Sequence, residues 1–239
     1  MAISLSLQGL NEDVDAGTED VTELGATYTG MPVIPTQAGE ALNIVSGSTA
    51  DAAAGTGQRT IKIVGLDAAG APQEETVTLN GTTPVVTTTT WLRVYRVYGV
   101  AAGSGGTNAG AITVKHNVTT ANVFAVVKAG RSQAMLGVFT VPAGRTARVV
   151  SWGGQVYGLN ATAAGEGVLQ LLARPTGTNQ GWRVLRVLAL PAVPTTKVID
   201  TLVGEGLRLS ALTDVKINFI SATANSFVAG DLNVEYSGS

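Results

Sequence analysis

The chain contains no cysteine, so no disulfide can staple it and no thiolate can act as nucleophile or metal ligand. It has a single histidine, His116, which any Ser-His-Asp, Cys-His or conventional zinc site would have to use. That residue sits in KHN after a strand-like run, with the nearest acidic side chains far away in sequence, and it reads as a surface or turn histidine. Charge is scarce: 13% of residues are charged and the formal net charge is −2. Phosphate binding needs a basic surface, so nucleic acid is not an expected partner. Aromatic residues make up 5% of the chain, and its three tryptophans offer little for an aromatic-lined sugar groove. No apolar run reaches the length of a membrane-spanning helix, and no membrane association is expected. The opening MAISLSLQGLNEDVDAG lacks the basic start of a secretory signal, which implies synthesis in a cytoplasm. Helical periodicity is nearly missing as well. Gln37–Ile44 is the one stretch that could make a short helix.

What remains is strand after strand. Apolar residues reach 45%, mostly the small and branched Val, Ala, Leu and Ile, and glycine contributes 30 positions. Met135–Trp152 (MLGVFTVPAGRTARVVSW) shows the pattern most clearly. Two runs, Leu136–Val141 and Thr146–Trp152, flank Pro142-Ala143-Gly144-Arg145, where proline presets φ and glycine accepts a positive one. This reads as a β-hairpin with Val138, Val149 and Trp152 in a core. Arg59–Leu66 and Glu74–Leu79 alternate across a turn at 67–72 and make a second hairpin. Val85–Val100 and Ala111–Lys115 extend that region. Beyond a polar hinge at Lys128–Gln133, strands are predicted at 136–141, 146–156, 167–173, 182–190, 197–203, 206–209, 214–220 and 226–236. Their spacing is that of an antiparallel β-sandwich, and their number fits a jelly roll. The expected organisation is all-β: an extended N-terminal arm over 1–57, a smaller β-domain over 58–128, and a jelly-roll-like sandwich over 129–239.

The motifs that could carry chemistry are weak. Gly103–Gly110 (GSGGTNAG) is glycine-rich, but Ala111 and Ile112 follow where a phosphate loop needs Lys and Ser/Thr, and it opens a strand where a dinucleotide loop opens a helix. In Asn11–Asp20 the residues Asp13, Asp15 and Gly17 echo part of a calcium loop, whose closing glutamate is absent; a solvated acidic arm is expected. Arg93/Arg96 and Arg183/Arg186 lie three apart within strands, so each pair should point to opposite faces. No catalytic residue, cofactor site or metal site is expected. The one candidate partner-binding segment is Met31-Pro32-Val33-Ile34-Pro35, where the prolines hold an apolar run extended for docking on a neighbour.

Two segments resemble virion structural proteins of tailed phages. Lys62–Val114 (KIVGLDAAGAPQEETVTLNGTTPVVTTTTWLRVYRVYGVAAGSGGTNAGAITV) is similar to a phrase in such proteins, GLD…E.VTLNGTT.V.T….LRV.RV followed by GS.GTN.G.I. The C-terminal half, with TVPAG at 140–144, SW at 151–152, LLARP at 171–175 and LTDVKI at 212–217, is similar to a β-sandwich pattern of the same class. The resemblance implies a non-enzymatic virion protein, foremost a cement or decoration protein of the capsid shell. Its expected partners are the major capsid protein or another virion protein and further copies of itself, a trimer by preference. A tail, fibre-base or receptor-contacting protein is the second reading, and a carbohydrate-binding sandwich the third.

Overall fold

Alternating β-branched residues punctuated by Gly, Pro, Asn and Asp leave the chain few options other than strands. The computed structural model describes residues 2–25, 28–31, 39–158, 167–176, 180–190, 198–202, 206–221 and 226–237. Its regular elements are all strands: β1 (Ala2–Val14), β2 (Gly17–Asp20), β3 (Glu40–Ser46), β4 (Gln58–Leu66), β5 (Pro72–Thr78), β6 (Val85–Trp91), β7 (Arg93–Ala102), β8 (Ile112–His116) and β9 (Val123–Val127). There follow β10 (Val138–Thr140), β11 (Thr146–Gly158), β12 (Gly167–Pro175), β13 (Arg183–Leu190), β14 (Val198–Thr201), β15 (Leu207–Leu209), β16 (Thr213–Ser221) and β17 (Ser226–Ser237). The fold is all-β and antiparallel, as the alternation predicts. The residues considered for a short helix, Gln37–Ile44, fall largely in β3, where Leu42 and Ile44 are fully buried.

The strands form two units, residues 1–27 with 135–239 and residues 28–134. The first holds two five-stranded sheets, ordered β1-β17-β11-β14 with β15 also on β11, and β10-β16-β12-β13 with β2 also on β16. If β14 and β15 count as one interrupted strand and β10 as an addition beside β2, eight strands remain. Their chain ranks run 1-8-3-6 in one sheet and 2-7-4-5 in the other, which is the jelly roll. Trp152, Val149, Leu169, Leu171, Phe219 and Leu232 fill its interior. Gly9 of β1 sits so close to the chain beneath that a Cβ there would lie 2.2 Å from the Val21 carbonyl oxygen. The second unit holds a sheet β6-β3-β8-β9 and a sheet β5-β4-β7, with Trp91, Ile61, Ile63, Val97, Val114 and Phe124 buried.

Two sequence expectations are corrected here. Residues 1–57 are not an arm. β1 is an edge strand of the jelly roll, paired with β17 in register from Ala2↔Ser237 to Asn11↔Val228 and, past a register shift, at Val14↔Ser226; Leu7, Leu10 and Val14 are buried. The jelly roll therefore takes its first two strands from the N-terminus, and the boundaries expected at 57/58 and 128/129 give way to a second unit inserted after β2. The partner of β1 is the last strand of the chain, which no local pattern can announce. Secondly, 136–141 and 146–152 do not pair with each other: β10 joins β16 and β11 joins β17. The Pro142–Arg145 turn, closed by Arg145 N–H donating to the Pro142 carbonyl and with Gly144 at φ 69°, carries the chain from one sheet to the other. Alternation fixes which residues face inward but not which sheet receives the next strand.

Candidate functional site

One group of buried polar residues in the second unit is centred on Asp51, in the loop that leaves β3. It is fully buried, and four donors use its carboxylate. Oδ1 accepts from the Gln58 and Ala109 backbone N–H groups, both at 2.8 Å; Oδ2 accepts from Gly110 N–H at 2.9 Å and the Ser46 hydroxyl at 2.6 Å. Burial pushes this carboxyl up, yet the hydrogen bonds from Ser46, Ala109, Gly110 and Gln58 outweigh it and hold the pKa below the ordinary value. The glycine-rich loop 103–110 is thereby fastened to a residue far upstream. Asn108, also buried, fixes its other side: Nδ2 donates to the Gly110, Val127 and Lys128 carbonyls, and Oδ1 accepts from Ser132 N–H. With its lone pairs so occupied, Asp51 is a clamp and offers nothing to a metal or a reacting proton.

His116 corrects the surface reading. It ends β8 fully buried, with its ring edge-on to Phe124 at 4.6 Å. Nδ1 lies 3.3 Å from Asn122 Nδ2 and 3.8 Å from Glu40 Oε2. Burial depresses its pKa against the pull of Glu40 and a backbone contact at Trp91, and Arg93 adds to the depression. Glu40 in turn accepts from Val118 N–H and from both the N–H and the hydroxyl of Thr119, which closes the β8–β9 turn. The carboxylate stands between hydroxyl and imidazole. A nucleophilic triad requires the imidazole in the middle, so this order cannot activate Thr119.

In the first unit, charge collects beside Trp182, just before β13. Asp214, fully buried, accepts from Thr140 and Thr176 hydroxyls at 2.8 and 2.9 Å and from Arg174 at 3.1 Å. The Arg174 guanidinium lies 4.5 Å and the Lys216 ammonium 4.7 Å from the Trp182 ring centroid, and Lys216 reaches Asp20 at 2.6 Å. Burial raises the Asp20 pKa further than Lys216 lowers it. No local pattern announces this chain of contacts, because its members come from five different strands or their margins.

Of the candidate docking segment, Met31 is buried, and Pro32, Val33, Ile34 and Pro35 lie outside the described residues. The chain just before it is tied down: the Thr29 hydroxyl donates to the Ala121 carbonyl and accepts from Val123 N–H. A shallow cleft of about 190 Å³ on the jelly roll, lined by Gln8, Leu10, Met135, Gln155, Ala229 and Asp231, falls below the usual range of small-molecule sites. Among the described residues no three His, Cys, Asp or Glu side chains gather as metal ligands, and no helix is long and apolar enough to cross a membrane.

The surface of the jelly roll is less ordinary at β13 and β14, each the last strand of its sheet. Val184, Val187 and Ile199 are exposed there by 49 to 58%. The register of β13 on β12 slips between Leu171↔Arg186 and Leu172↔Val184, leaving Leu185 as an extra residue. This bulge overturns the expectation that Arg183 and Arg186 point apart. They lie opposite Ala173 and Leu171 and share one face, while Val184 and Val187, opposite Leu172 and Gln170, share the other.

No family model matches the chain, and no curated protein matches it. Among solved structures it was set against the VP2 subviral particle of infectious bursal disease virus, at 11% identity over 98% of this chain and 80% of that one, with a TM-score of 0.12. The structure of the Gt strain of the same virus is 9% identical over 99% and 81%, with a TM-score of 0.14. These superpositions are too poor to carry an argument about fold or role.

Proposed function

We propose that this chain is a non-enzymatic structural protein of a phage particle, a cement or decoration protein that binds the assembled shell through the major capsid protein. The observation that supports it best is where the phage-like phrase falls. Lys62–Val114 runs from β4 through β5, β6 and β7 into β8, so the resemblance falls within a single unit. The handling of buried charge agrees with that role. Asp51 and Glu40 spend their oxygens on backbone N–H groups and hydroxyls of the same unit, which stiffens a β-body and presents no reactive group. A jelly roll by itself assigns no role, since the same architecture serves many.

Labelling the protein in purified particles tests the reading. Label over the whole shell is the expected result, together with release of the protein and loss of shell stability on stripping. Label at a single vertex would move the protein to the tail or fibre base. Binding on a glycan array or turnover of peptidoglycan would overturn the non-enzymatic structural role.

A further inference from the structure

The second sheet of the jelly roll has two unlike edges. One ends in β13, whose neighbour among the described residues is β12 alone, and it carries Arg183 and Arg186 on one face and exposed Val184 and Val187 on the other. The opposite edge is made by β10 and β2, and just before β2 (GTED) the end of β1 and the turn after it expose Asp13 and Asp15. Sheet edges with unpaired backbone groups and apolar side chains are sites where a further strand adds. The composition of each edge decides which strand that can be.

Two copies of β13 cannot meet well. Antiparallel self-pairing would gather four arginines on a strand that contains no acid. The acidic β1–β2 turn of another copy has the charge that β13 lacks. We infer that copies of this chain associate head to tail, the β13 edge of one docking on the acidic β1–β2 turn and β2 edge of the next. Val184 and Val187 supply the apolar area, and the arginine–carboxylate pairs set register and direction. The bulge at Leu185 is what makes the surface coherent, because without it the two arginines would fall on opposite faces. A contact between two different patches of the same chain is heterologous, so it closes into a ring of three or more copies or runs on as a filament, and never stops at a two-fold dimer. The inference concerns copies in solution and does not depend on where the protein sits in a particle.

Sedimentation velocity and mass photometry of the full chain, at low and high salt, test it. The wild type should form species of three or more copies that dissociate as salt screens the pairs. R183E/R186E and D13K/D15K should each weaken association on the order of tenfold or more. All four residues are exposed, so both variants should keep the parent's circular dichroism and melting temperature. Joining the four changes in one chain swaps the charges of the two edges and should restore the oligomer, which a merely disruptive substitution would not do. A wild type that is monomeric at every concentration would mean that the arginines only guard an open edge, and would overturn the inference. So would an oligomer that survives both charge reversals, or a four-fold variant that fails to reassemble.

Discussion

The two units solve the same problem, a β-body short of charge and aromatics, by opposite routes. The 28–134 unit turns its ionisable groups inward onto its own loops. Asp51 and Glu40 accept from backbone N–H groups and hydroxyls, Glu75 binds the N–H and hydroxyl of both Thr88 and Thr89, and His116 lies buried beside Glu40. The jelly-roll unit pairs charge with charge and with an indole, as in Asp214–Arg174, Lys216–Asp20 and both cations on Trp182. It also leaves apolar side chains exposed on its last strands. The carboxylate clamps fasten loops to distant parts of the chain, Asp51 to Ala109 and Gly110 and Glu40 to Val118 and Thr119, whereas the ion pairs tie one strand to the next. The first unit is the more dependent on its chain ends, because its strands β1 and β17 pair with each other.

The largest effect should come from removing the N-terminal residues. A chain beginning at Gln58 lacks β1, the long partner of β17, together with β2 and with β3, an interior strand of its own sheet. It should fail to fold in either unit, seen as loss of the strand signal in circular dichroism. A cooperative melt from that fragment would restore the arm reading. Next in size is the jelly-roll core. Trp152 is fully buried, and Trp152→Ala should cost about 3–5 kcal/mol in chemical denaturation, borne by the jelly-roll transition alone. If the other unit's transition moves by a similar amount, the division into two separately cooperative bodies is wrong.

Much of this was legible in advance, and what was missed shares one cause. The strands from 58 onward could be placed because alternation and turn residues are local signals. Leu136–Val141 and Thr146–Trp152 were recognised as strands, yet their partners are β16 and β17, and pairing over that distance leaves no mark on either segment. The same holds for Ile3, Leu5 and Leu7, whose alternation with Ser4, Ser6 and Gln8 is visible but whose mate is the last strand of the chain. Asp51 lies in a loop of Ala, Gly, Ser and Thr and looks like a turn residue, because three of its four partners are backbone N–H groups. His116 looked solitary because Glu40 meets it across β3–β8 pairing, 3.8 Å away in space. The shared face of Arg183 and Arg186 depends on one extra residue in a register, which spacing alone gets backwards.

Asp51→Asn sharpens the contrast at a lower energy. The amide is nearly isosteric, but its NH₂ must face donors at one of the two former oxygens, and the charge assistance is lost. A cost of about 2–3 kcal/mol is expected in the 28–134 unit. Hydrogen exchange at Ala109 and Gly110 should speed up with it. Acid should act in the same place. The carboxyls of Glu40, Asp51 and Glu75 are held below their ordinary values, so their contribution is present above the unfolded values and is lost as pH falls through the lowered folded ones. His116, depressed by burial, takes up a proton more readily when unfolded, so stability begins to decline already below about pH 6.5. Asp20 has the opposite sign: its raised pKa means that protonation relieves a cost, and the jelly roll gains from that group as pH falls toward 3.8. Calorimetry from pH 8 to 4 should show the 28–134 transition falling first, and His116→Gln should flatten the upper part of that fall. A parallel descent of both transitions would refute the contrast.

The finest comparison concerns two tryptophans that are both fully buried, one in each unit. Trp152 Nε1 donates to Asp200 Oδ2 at 3.0 Å, which ties β11 to the neighbouring β14 through side chains as well as backbone. Trp91 Nε1 finds no hydrogen-bond partner among the described residues. Replacement by phenylalanine removes about the same volume at each site, so the packing loss should be similar. The polar terms differ in sign. Trp152→Phe also strips Asp200 of a donor, whereas Trp91→Phe relieves a buried N–H that was already unsatisfied, and the first should cost about 1 kcal/mol more than the second. Matched denaturation curves of the two variants measure the difference. Equal losses would mean that the indole at position 152 contributes only its bulk, and that the β11–β14 edge is held by backbone pairing alone.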